Sequence, residues 1–334
     1  MEFIENFFYA CLNGDVCRVQ KYIDLGIDLN IKDDYGITAV HLACKSGNKQ
    51  LLELLLDYGA PINDMTINNE TPLHIAVKNG RCEIVDFLVR RNANLNIKDI
   101  EGNTPLHIAC INNDVDMVIM LINNSYNLNE KSKIGNTALH YACGNASEDI
   151  VKILIENGIN LNEKNLSGKT PIDIACCNGA INIMALLIRN GAEVPMNVID
   201  WSIHKEEYDL LNSIAQRKDV AKHLIKKLII SDKKHILREL RKNKVNFNSM
   251  EEVNDKSLLE IAINNKNIDI ANILMSCNFG GVENTIQKLM ELLNNNKVND
   301  LLNNSKTKEN NLIRVNKIEK ENENIIDLLI QSRM

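Results

Sequence analysis

The chain has 334 residues, of which 45% are hydrophobic and 25% charged, a composition typical of a folded globular protein. Its formal net charge of -6 argues against a general affinity for nucleic acid. No segment has about 18 consecutive apolar residues, and Glu2 and Glu5 stand where a secretory signal carries lysine or arginine. We therefore expect a soluble cytoplasmic protein, with neither a membrane span nor an export signal.

The first 35 residues predict two helices. Phe7 to Ala10 supply apolar residues for the first helix, Asn13 and Gly14 mark its end, and Val16 to Leu25 supply the second. Gly26 closes the second helix, because glycine tolerates the left-handed conformation at a helix end. A glycine at the same offset, Gly59, follows 33 residues later.

Residues 36–194 contain five copies of a six-residue motif at intervals of 33 residues. The copies begin at Thr38, Thr71, Thr104, Thr137 and Thr170. The clearest copy reads Thr-Pro-Leu-His-Ile-Ala from Thr104 to Ala109. Threonine caps a helix because its hydroxyl accepts a hydrogen bond from an exposed amide of the first turn, and proline fits the first helical position. After each motif, apolar residues at helical spacing, such as Leu51, Leu54 and Leu55, predict a second helix that contributes to the core.

So strict a period indicates a solenoid of stacked units. The motif resembles that of the ankyrin repeat family, whose unit is a turn and two antiparallel helices. The resemblance implies an all-α ankyrin-repeat solenoid of stacked helix-turn-helix units with projecting hairpin loops. Residues 1–35 would then be the amino-terminal capping repeat, and residues 36–194 five well-formed repeats. The tight turns of the hairpins would fall at Gly36, Asn69, Gly102, Gly135 and Gly168.

The 33-residue frame weakens after Pro195. Residues 195–222 are helical by composition but out of register, and we interpret them as an irregular helical insertion or a distorted repeat. We interpret residues 223–334 as divergent ankyrin-like repeats with a carboxy-terminal cap. The clearest of these begins Ser-Leu-Leu-Glu-Ile-Ala at Ser257.

Four histidines share one repeat position, namely His41, His74, His107 and His140. In the fifth repeat Asp173 stands at this position. Stacked helices lie roughly 10 Å apart, which is too far for one metal ion to bind two of these imidazoles. We expect the histidines to join each hairpin to its neighbour by hydrogen bonds, as in the family, and Asp173 to accept a bond instead. Five of the nine cysteines share another position, Cys11, Cys44, Cys110, Cys143 and Cys176. We interpret them as small buried residues in a reducing compartment.

Sequence signatures of catalysis are absent. The chain contains no Gly-rich phosphate loop, no Gly-x-Ser-x-Gly element and no Cys/His set at zinc spacing. We therefore predict that the protein is not an enzyme and has no catalytic residue, bound metal or cofactor.

Residues 217–244 stand out by charge, because 11 lysines and arginines face three acidic residues. Apolar residues at helical spacing, such as Leu224, Leu228 and Leu237, predict helices with their lysines on an exposed face. Three interpretations stay open: a solvated surface, a site for an acidic protein, or a site for nucleic acid or an anionic membrane. The segment has no aromatic residue for base stacking, which argues against single-stranded nucleic acid.

The resemblance implies a non-enzymatic protein–protein interaction module whose concave face, made of hairpin tips and inner helices, binds a protein. Carried onto this chain, the tip positions are Asp34, Tyr35, Ile37, Ile67, Asn68, Glu70, Ile100, Glu101, Asn103, Lys133, Ile134, Asn136, Leu166, Ser167 and Lys169. The positions on the inner helices are Lys45, Lys78, Ile111 and Asn112. The apolar tip residues are the best candidates for hot spots, since apolar side chains are costly to expose. The alternative is that each packs on the neighbouring hairpin.

The leading hypothesis is a monomeric adaptor, scaffold or inhibitor that binds another protein through this face. One alternative is binding of nucleic acid or an anionic surface through residues 217–244, which a steep loss of affinity with added salt would support. Another is a pathogen or viral effector that acts on host proteins inside the host cell.

Overall fold

The computed structural model describes residues 2–124 and 127–243, together with residues 245, 258, 261, 262, 265, 267, 270, 273 and 274. Over these residues the fold is all-α, as predicted, with 16 helices and no strand. The helices are α1 (Glu2–Leu12), α2 (Val16–Asp24), α3 (Ala39–Ser46), α4 (Lys49–Asp57), α5 (Pro72–Lys78), α6 (Cys82–Arg90), α7 (Pro105–Ile111), α8 (Val115–Ile122), α9 (Ala138–Gly144), α10 (Glu148–Glu156), α11 (Pro171–Cys177), α12 (Ile181–Arg189), α13 (Met196–Lys205), α14 (Tyr208–Ala215), α15 (Lys218–Ile230) and α16 (Lys234–Lys242). None of these helices has the length and apolar character that crossing a membrane requires.

The chain divides into two compact units, Met1–Trp201 and Ser202–Met334. Helices of the first unit form two stacked rows. In the inner row, each helix packs on the next in the order α1, α3, α5, α7, α9 and α11. The outer row stacks in the same way in the order α2, α4, α6, α8, α10 and α12, and each inner helix also packs on the outer helix that follows it. The first unit is therefore a solenoid of helix pairs, as the repeat motif predicts.

The inner helices α3, α5, α7, α9 and α11 begin where the motif predicts. Each follows a threonine in an extended conformation, and three of them have proline at the start. The third residue of each helix accepts a hydrogen bond from the main-chain N–H of that threonine, which completes a capping box. This residue is histidine in four helices and Asp173 in α11. The histidines therefore belong to the helix caps.

The core of the first unit lies between the two rows. Leu51, Leu52 and Leu55 of α4 are fully buried, whereas Leu54, which the sequence pattern places in the core, is only partly buried. The same offset recurs in α6, where Ile84, Val85 and Leu88 are buried. In both helices, two adjacent residues, such as Leu51 and Leu52, are therefore buried. The reason is that each outer helix packs both on its own inner helix and on the outer helices beside it. Fully burying one such side chain contributes about 1.5–3 kcal/mol.

The repeated cysteines lie inside this core, as predicted. Cys11, Cys44, Cys110, Cys143 and Cys176 are buried free thiols. Burial raises the pKa of the Cys11 and Cys110 thiols to about 12, so both stay protonated at neutral pH. They act as small apolar side chains in the contact between inner helices.

In the second unit, α14, α15 and α16 pack against one another through buried residues such as Leu210, Leu224 and Leu240. Helices α13 and α14 fall in the segment interpreted as an irregular helical insertion. That interpretation, and the assignment of residues 223–334 to divergent repeats, stay predictions. Most of residues 246–334 lie outside the described residues, although Leu258 and Leu274 are buried.

Candidate partner-binding surface

Five short turns project from the ends of the inner helices. We call them fingers 1 to 5, and they comprise residues 33–37, 66–70, 99–103, 132–136 and 165–169. In finger 1, Asp33 Oδ1 accepts hydrogen bonds from the N–H groups of Tyr35 at 2.9 Å and Ile37 at 2.8 Å. The first residue of each other finger accepts an equivalent bond from the main-chain N–H four residues later. Each finger is therefore closed by its own first side chain, which is the role of Asp, Asn, Ser and Thr in tight turns.

Neighbouring fingers are joined by main-chain hydrogen bonds. Ile67 N–H donates to Tyr35 O at 3.0 Å, and Lys133 N–H donates to Glu101 O at 2.8 Å. The equivalent bonds run from Ile100 to Asn68 at 2.8 Å and from Leu166 to Ile134 at 3.0 Å. The fingers thus form one connected row in which the position of each tip is set by the next. Such a surface loses little conformational freedom when a partner binds.

The left-handed backbone and, between neighbouring fingers, close approach together explain the glycines at the finger turns. Gly102 has a φ of +75°, and a Cβ atom there would lie 2.5 Å from the main-chain nitrogen of Lys133 in finger 4. Gly168 in finger 5 has a φ of +73°, but a Cβ atom there would meet no atom within 4 Å. Glycine is therefore required at residue 102 by space, whereas at residue 168 it is favoured by conformation alone; asparagine takes this position in finger 2, where Asn69 has a φ of +56°.

The repeated histidines link each helix cap to the finger region of the next repeat, as predicted. Nδ1 of His41 accepts a hydrogen bond from Thr38 N–H at 3.1 Å, which leaves the proton on Nε2 to be donated to Glu70 O at 3.1 Å. The other links run from His74 to Asn103, from His107 to Glu130 and from His140 to Lys169. Burial lowers the pKa of all four imidazoles, to about 4 for His107, and they are therefore neutral at pH 7.

Asp173 replaces the fifth histidine where finger 5 ends the row. Its Oδ2 accepts from Thr170 N–H at 2.9 Å, and its Oδ1 accepts from the side-chain amide of Asn197 in α13 at 2.8 Å. Burial opposes ionisation of this carboxyl, but the hydrogen bonds from Thr170 and Asn197 outweigh it and lower its pKa. In the other repeats the partner is a main-chain carbonyl, so the inner helix needs a donor such as histidine. Here the partner is the Asn197 amide, which donates, so the inner helix needs an acceptor such as aspartate.

The apolar side chains at the finger tips are exposed to solvent. Tyr35 is 64% exposed, Ile67 60%, Ile100 48%, Ile134 56% and Leu166 80%. Packing on the neighbouring finger, the alternative interpretation, therefore covers only part of each side chain. Ile37 is the exception among the apolar candidates, because it is partly buried.

The remaining predicted positions fall into three groups. Exposed residues are Asp34, Asn68, Glu101, Lys133, Ser167, Lys169, Lys45, Lys78, Ile111 and Asn112. Glu70 and Asn136 are partly buried. Asn103 does not fit the prediction of a free surface position, because it is 9% exposed and its Oδ1 lies 3.1 Å from the Tyr141 hydroxyl. We use the term finger surface for fingers 1 to 5 together with the four exposed inner-helix residues, Lys45, Lys78, Ile111 and Asn112.

A cleft of about 360 Å³ opens on the finger surface between fingers 1 and 2. Seven of the predicted residues line it, namely Tyr35, Ile37, Lys45, Ile67, Asn68, Glu70 and Lys78. Leu42 and Ile75, at the inner-helix position that follows the histidine, complete its apolar wall. The repeat pattern does not predict this cleft, because it shows which positions are apolar but not where side chains leave space unfilled. No sequence signal singles the cleft out, because isoleucine also stands at this position in two later repeats, as Ile108 and Ile174.

Among the described residues, no group of three or more His, Cys, Asp or Glu side chains is arranged to hold a metal ion. The concentrated features of the first unit are instead the exposed apolar tips and the cleft beside them. These features suit contact with another macromolecule.

The sequence comparisons agree with the fold. A family model described as ankyrin repeats in three copies matches residues 7–99 and 106–198, more than half of the chain. No curated protein matches the chain significantly. The chain therefore belongs to the ankyrin-repeat family, whose members generally bind other proteins and typically are not enzymes.

Proposed function

We propose that the protein is a non-catalytic adaptor, scaffold or inhibitor that binds a protein partner through the finger surface. The observation that carries this proposal is the row of exposed apolar side chains at successive finger tips, Ile67, Ile100, Ile134 and Leu166. Exposed apolar residues grouped on one surface are a mark of interaction sites, whereas single exposed ones are common everywhere.

The row has the organisation expected of an interface. Full burial of a fully exposed isoleucine contributes about 1.5–3 kcal/mol. The three isoleucine tips, which are 60%, 48% and 56% exposed, have about half of that still to gain, so several tips together can supply much of a binding free energy. Exposed polar and charged residues such as Asn68, Glu101 and Lys133 surround the tips and can form the polar rim. The main-chain bonds between fingers hold the tips in place before binding.

Affinity capture with a matched control tests the proposal. One variant changes Ile67, Ile100 and Ile134 to aspartate. The control changes Leu25 and Ile119 to aspartate, because both are exposed apolar residues associated with the outer helices, 72% and 41% exposed. Each protein is used to capture partners from an extract of the cells that produce it, and cross-links in the captured complex are mapped by mass spectrometry.

We expect one defined protein to bind the wild type and the control, to be lost with the tip variant, and to cross-link to fingers 1 to 5. Recovery of the same protein by the tip variant would contradict the proposal. Circular dichroism confirms that each variant keeps its helical content, so that loss of binding is not loss of folding.

A second candidate function uses the basic helices of the second unit. Lys218, Lys222 and Lys226 follow at intervals of four on α15, so they lie along one side of that helix. No carboxylate of the described residues pairs with these three, whereas Lys233 pairs with Glu206 at 2.8 Å. An anionic surface such as duplex DNA or an acidic membrane would supply the missing charge. The test is the affinity for random-sequence duplex DNA. A steep fall in that affinity between about 50 and 200 mM salt would support this second function.

A further inference from the structure

The cleft between fingers 1 and 2 has an apolar interior and a charged mouth. Tyr35, Ile37 and Ile67 line it from the fingers, and Leu42 and Ile75 line it from α3 and α5. Its volume of about 360 Å³ is near the lower limit of the roughly 300–1,000 Å³ usual for ligand sites. A cleft of this size suits one or two side chains of a partner.

Two lysines line the same cleft but differ in their partners. Lys78 Nζ lies 3.0 Å from Glu70 Oε1, so its charge is already matched. Lys45 is exposed and has no carboxylate within ion-pair distance in the part of the chain that the structure describes. A carboxylate at the cleft would therefore find Lys45 available without breaking an existing ion pair.

The equivalent space two repeats later is occupied by the protein's own side chain. Ile75 corresponds to Tyr141, Ile37 to Asn103 and Thr66 to Ser132, each 66 residues further along the chain. The Tyr141 hydroxyl lies 3.1 Å from Asn103 Oδ1 and 3.1 Å from Ser132 Oγ, so this side chain extends from α9 to fingers 3 and 4. The phenol ring packs edge-on against the ring of His107, with 5.7 Å between the ring centroids. Ile108, beside it on α7, is 8% exposed, whereas Leu42, the corresponding residue of α3, is only partly buried. An isoleucine at residue 75 leaves the corresponding space between fingers 1 and 2 open.

We propose that the cleft between fingers 1 and 2 is an anchor site for an extended segment of the partner protein, in which a large apolar residue stands next to aspartate or glutamate. The apolar side chain enters between Ile37, Leu42 and Ile75, and the carboxylate pairs with Lys45. The inference rests on the proposed function, since it assigns the partner's chemistry at one end of the finger surface. Contact with Ile67 continues the segment towards finger 3.

A random 12-residue peptide library displayed on phage is the probe. The library is selected on the full chain, and the recovered peptides are synthesised and measured by fluorescence anisotropy. Ile75→Tyr fills the cleft with a residue that the fold already accepts at the equivalent position. Lys45→Glu reverses the charge at its mouth, and Lys21→Glu is the control, because Lys21 is an exposed lysine of α2 outside the cleft.

We expect the recovered peptides to share a large apolar residue beside an acidic one. Their affinity should fall at least tenfold with Ile75→Tyr and with Lys45→Glu, and should change less than twofold with Lys21→Glu. Circular dichroism and a urea transition establish that Ile75→Tyr is folded.

Two results would overturn the inference. One is the recovery of no shared sequence, and the other is binding that Ile75→Tyr leaves unchanged. The peptides also separate this failure from failure of the proposed function. If the peptides bind Ile75→Tyr normally but do not bind Ile134→Asp, the finger surface is still the binding site and only the assignment to the cleft is wrong. If the peptides bind both variants normally, the proposed function of the finger surface is contradicted as well.

Discussion

The Nε2 atom of His74 lies 3.2 Å from the main-chain oxygen of Asn103, which belongs to finger 3 of the next repeat. Its other ring nitrogen, Nδ1, lies 3.2 Å from the main-chain nitrogen of Thr71 at the start of α5. One buried imidazole therefore joins a helix cap to the neighbouring finger. The solenoid depends on such links because each repeat contacts only its neighbours.

We predict that His74→Ala destabilises the first unit by about 1–3 kcal/mol, because it leaves the buried N–H of Thr71 and the carbonyl of Asn103 without partners. The free energy of unfolding is measured by urea denaturation. His204→Ala is the control, since His204 is exposed, and its effect should stay within about 0.5 kcal/mol. Equal stability of the two variants would show that the link contributes nothing.

Stability should also fall as the solution becomes mildly acidic. Burial lowers the pKa of His41, His74, His107 and His140 below the ordinary value of 6.5, and to about 4 for His107. Between about pH 4 and 6.5 the unfolded chain therefore binds more protons than the folded one. The stabilisation from these neutral histidines is fully present above pH 6.5 and decreases as pH falls towards 4.

Urea denaturation between pH 7.5 and 5 measures this effect above the range in which most carboxylates titrate. His107→Gln should flatten the slope, because glutamine can donate to Glu130 O without titrating. Lys98 lowers the pKa of His107 and Glu130 raises it, but burial is the larger influence. A slope that is the same in wild type and His107→Gln would contradict the assignment.

The 33-residue period is sufficient to predict the capping threonines, the two helical rows and the linking role of the histidines. Each of these depends on residues close in sequence or one repeat apart. The burial of Asn103 is different, since it results from Tyr141, 38 residues away on α9. No local pattern indicates that this hydroxyl reaches back to finger 3.

The core stripe of the outer helices shows the same limit at shorter range. Helical spacing predicts Leu51, Leu54 and Leu55 as core residues of α4. Other sets of three positions on the same side of the helix satisfy the spacing equally well, so spacing alone does not choose between them. In the structure Leu52 is fully buried and Leu54 only partly, and α4 packs on α2 and α6 as well as on α3. Likewise, the cleft between fingers 1 and 2 depends on which side chains leave space unfilled, and this follows only from packing.

Glycine to alanine substitutions should separate backbone strain from crowding. We predict that Gly168→Ala costs about 1–2 kcal/mol, the penalty for a left-handed alanine, since space around it is open. Gly102→Ala should cost more, because its Cβ would lie 2.5 Å from the main-chain nitrogen of Lys133. Urea denaturation of both variants gives the comparison. If both substitutions cost the same, the row of fingers is not closely packed at this position.

At the end of the row, the hydrogen bond between Asp173 and Asn197 replaces the link from histidine to finger. We expect a double-mutant cycle of Asp173→Ala and Asn197→Ala to give a coupling energy of about 0.5 kcal/mol or more, because the two side chains share a hydrogen bond to an ionised group. The lowered pKa of Asp173 means that the coupling is present above the ordinary carboxyl range and is lost as pH falls through the folded-state pKa. The cycle is measured by urea denaturation at pH 7 and again at pH 3, or at the lowest pH where the protein remains folded. Additive effects at pH 7 would show that α13 is held by its apolar contacts, such as those of buried Val198 and Ile199, without help from this bond.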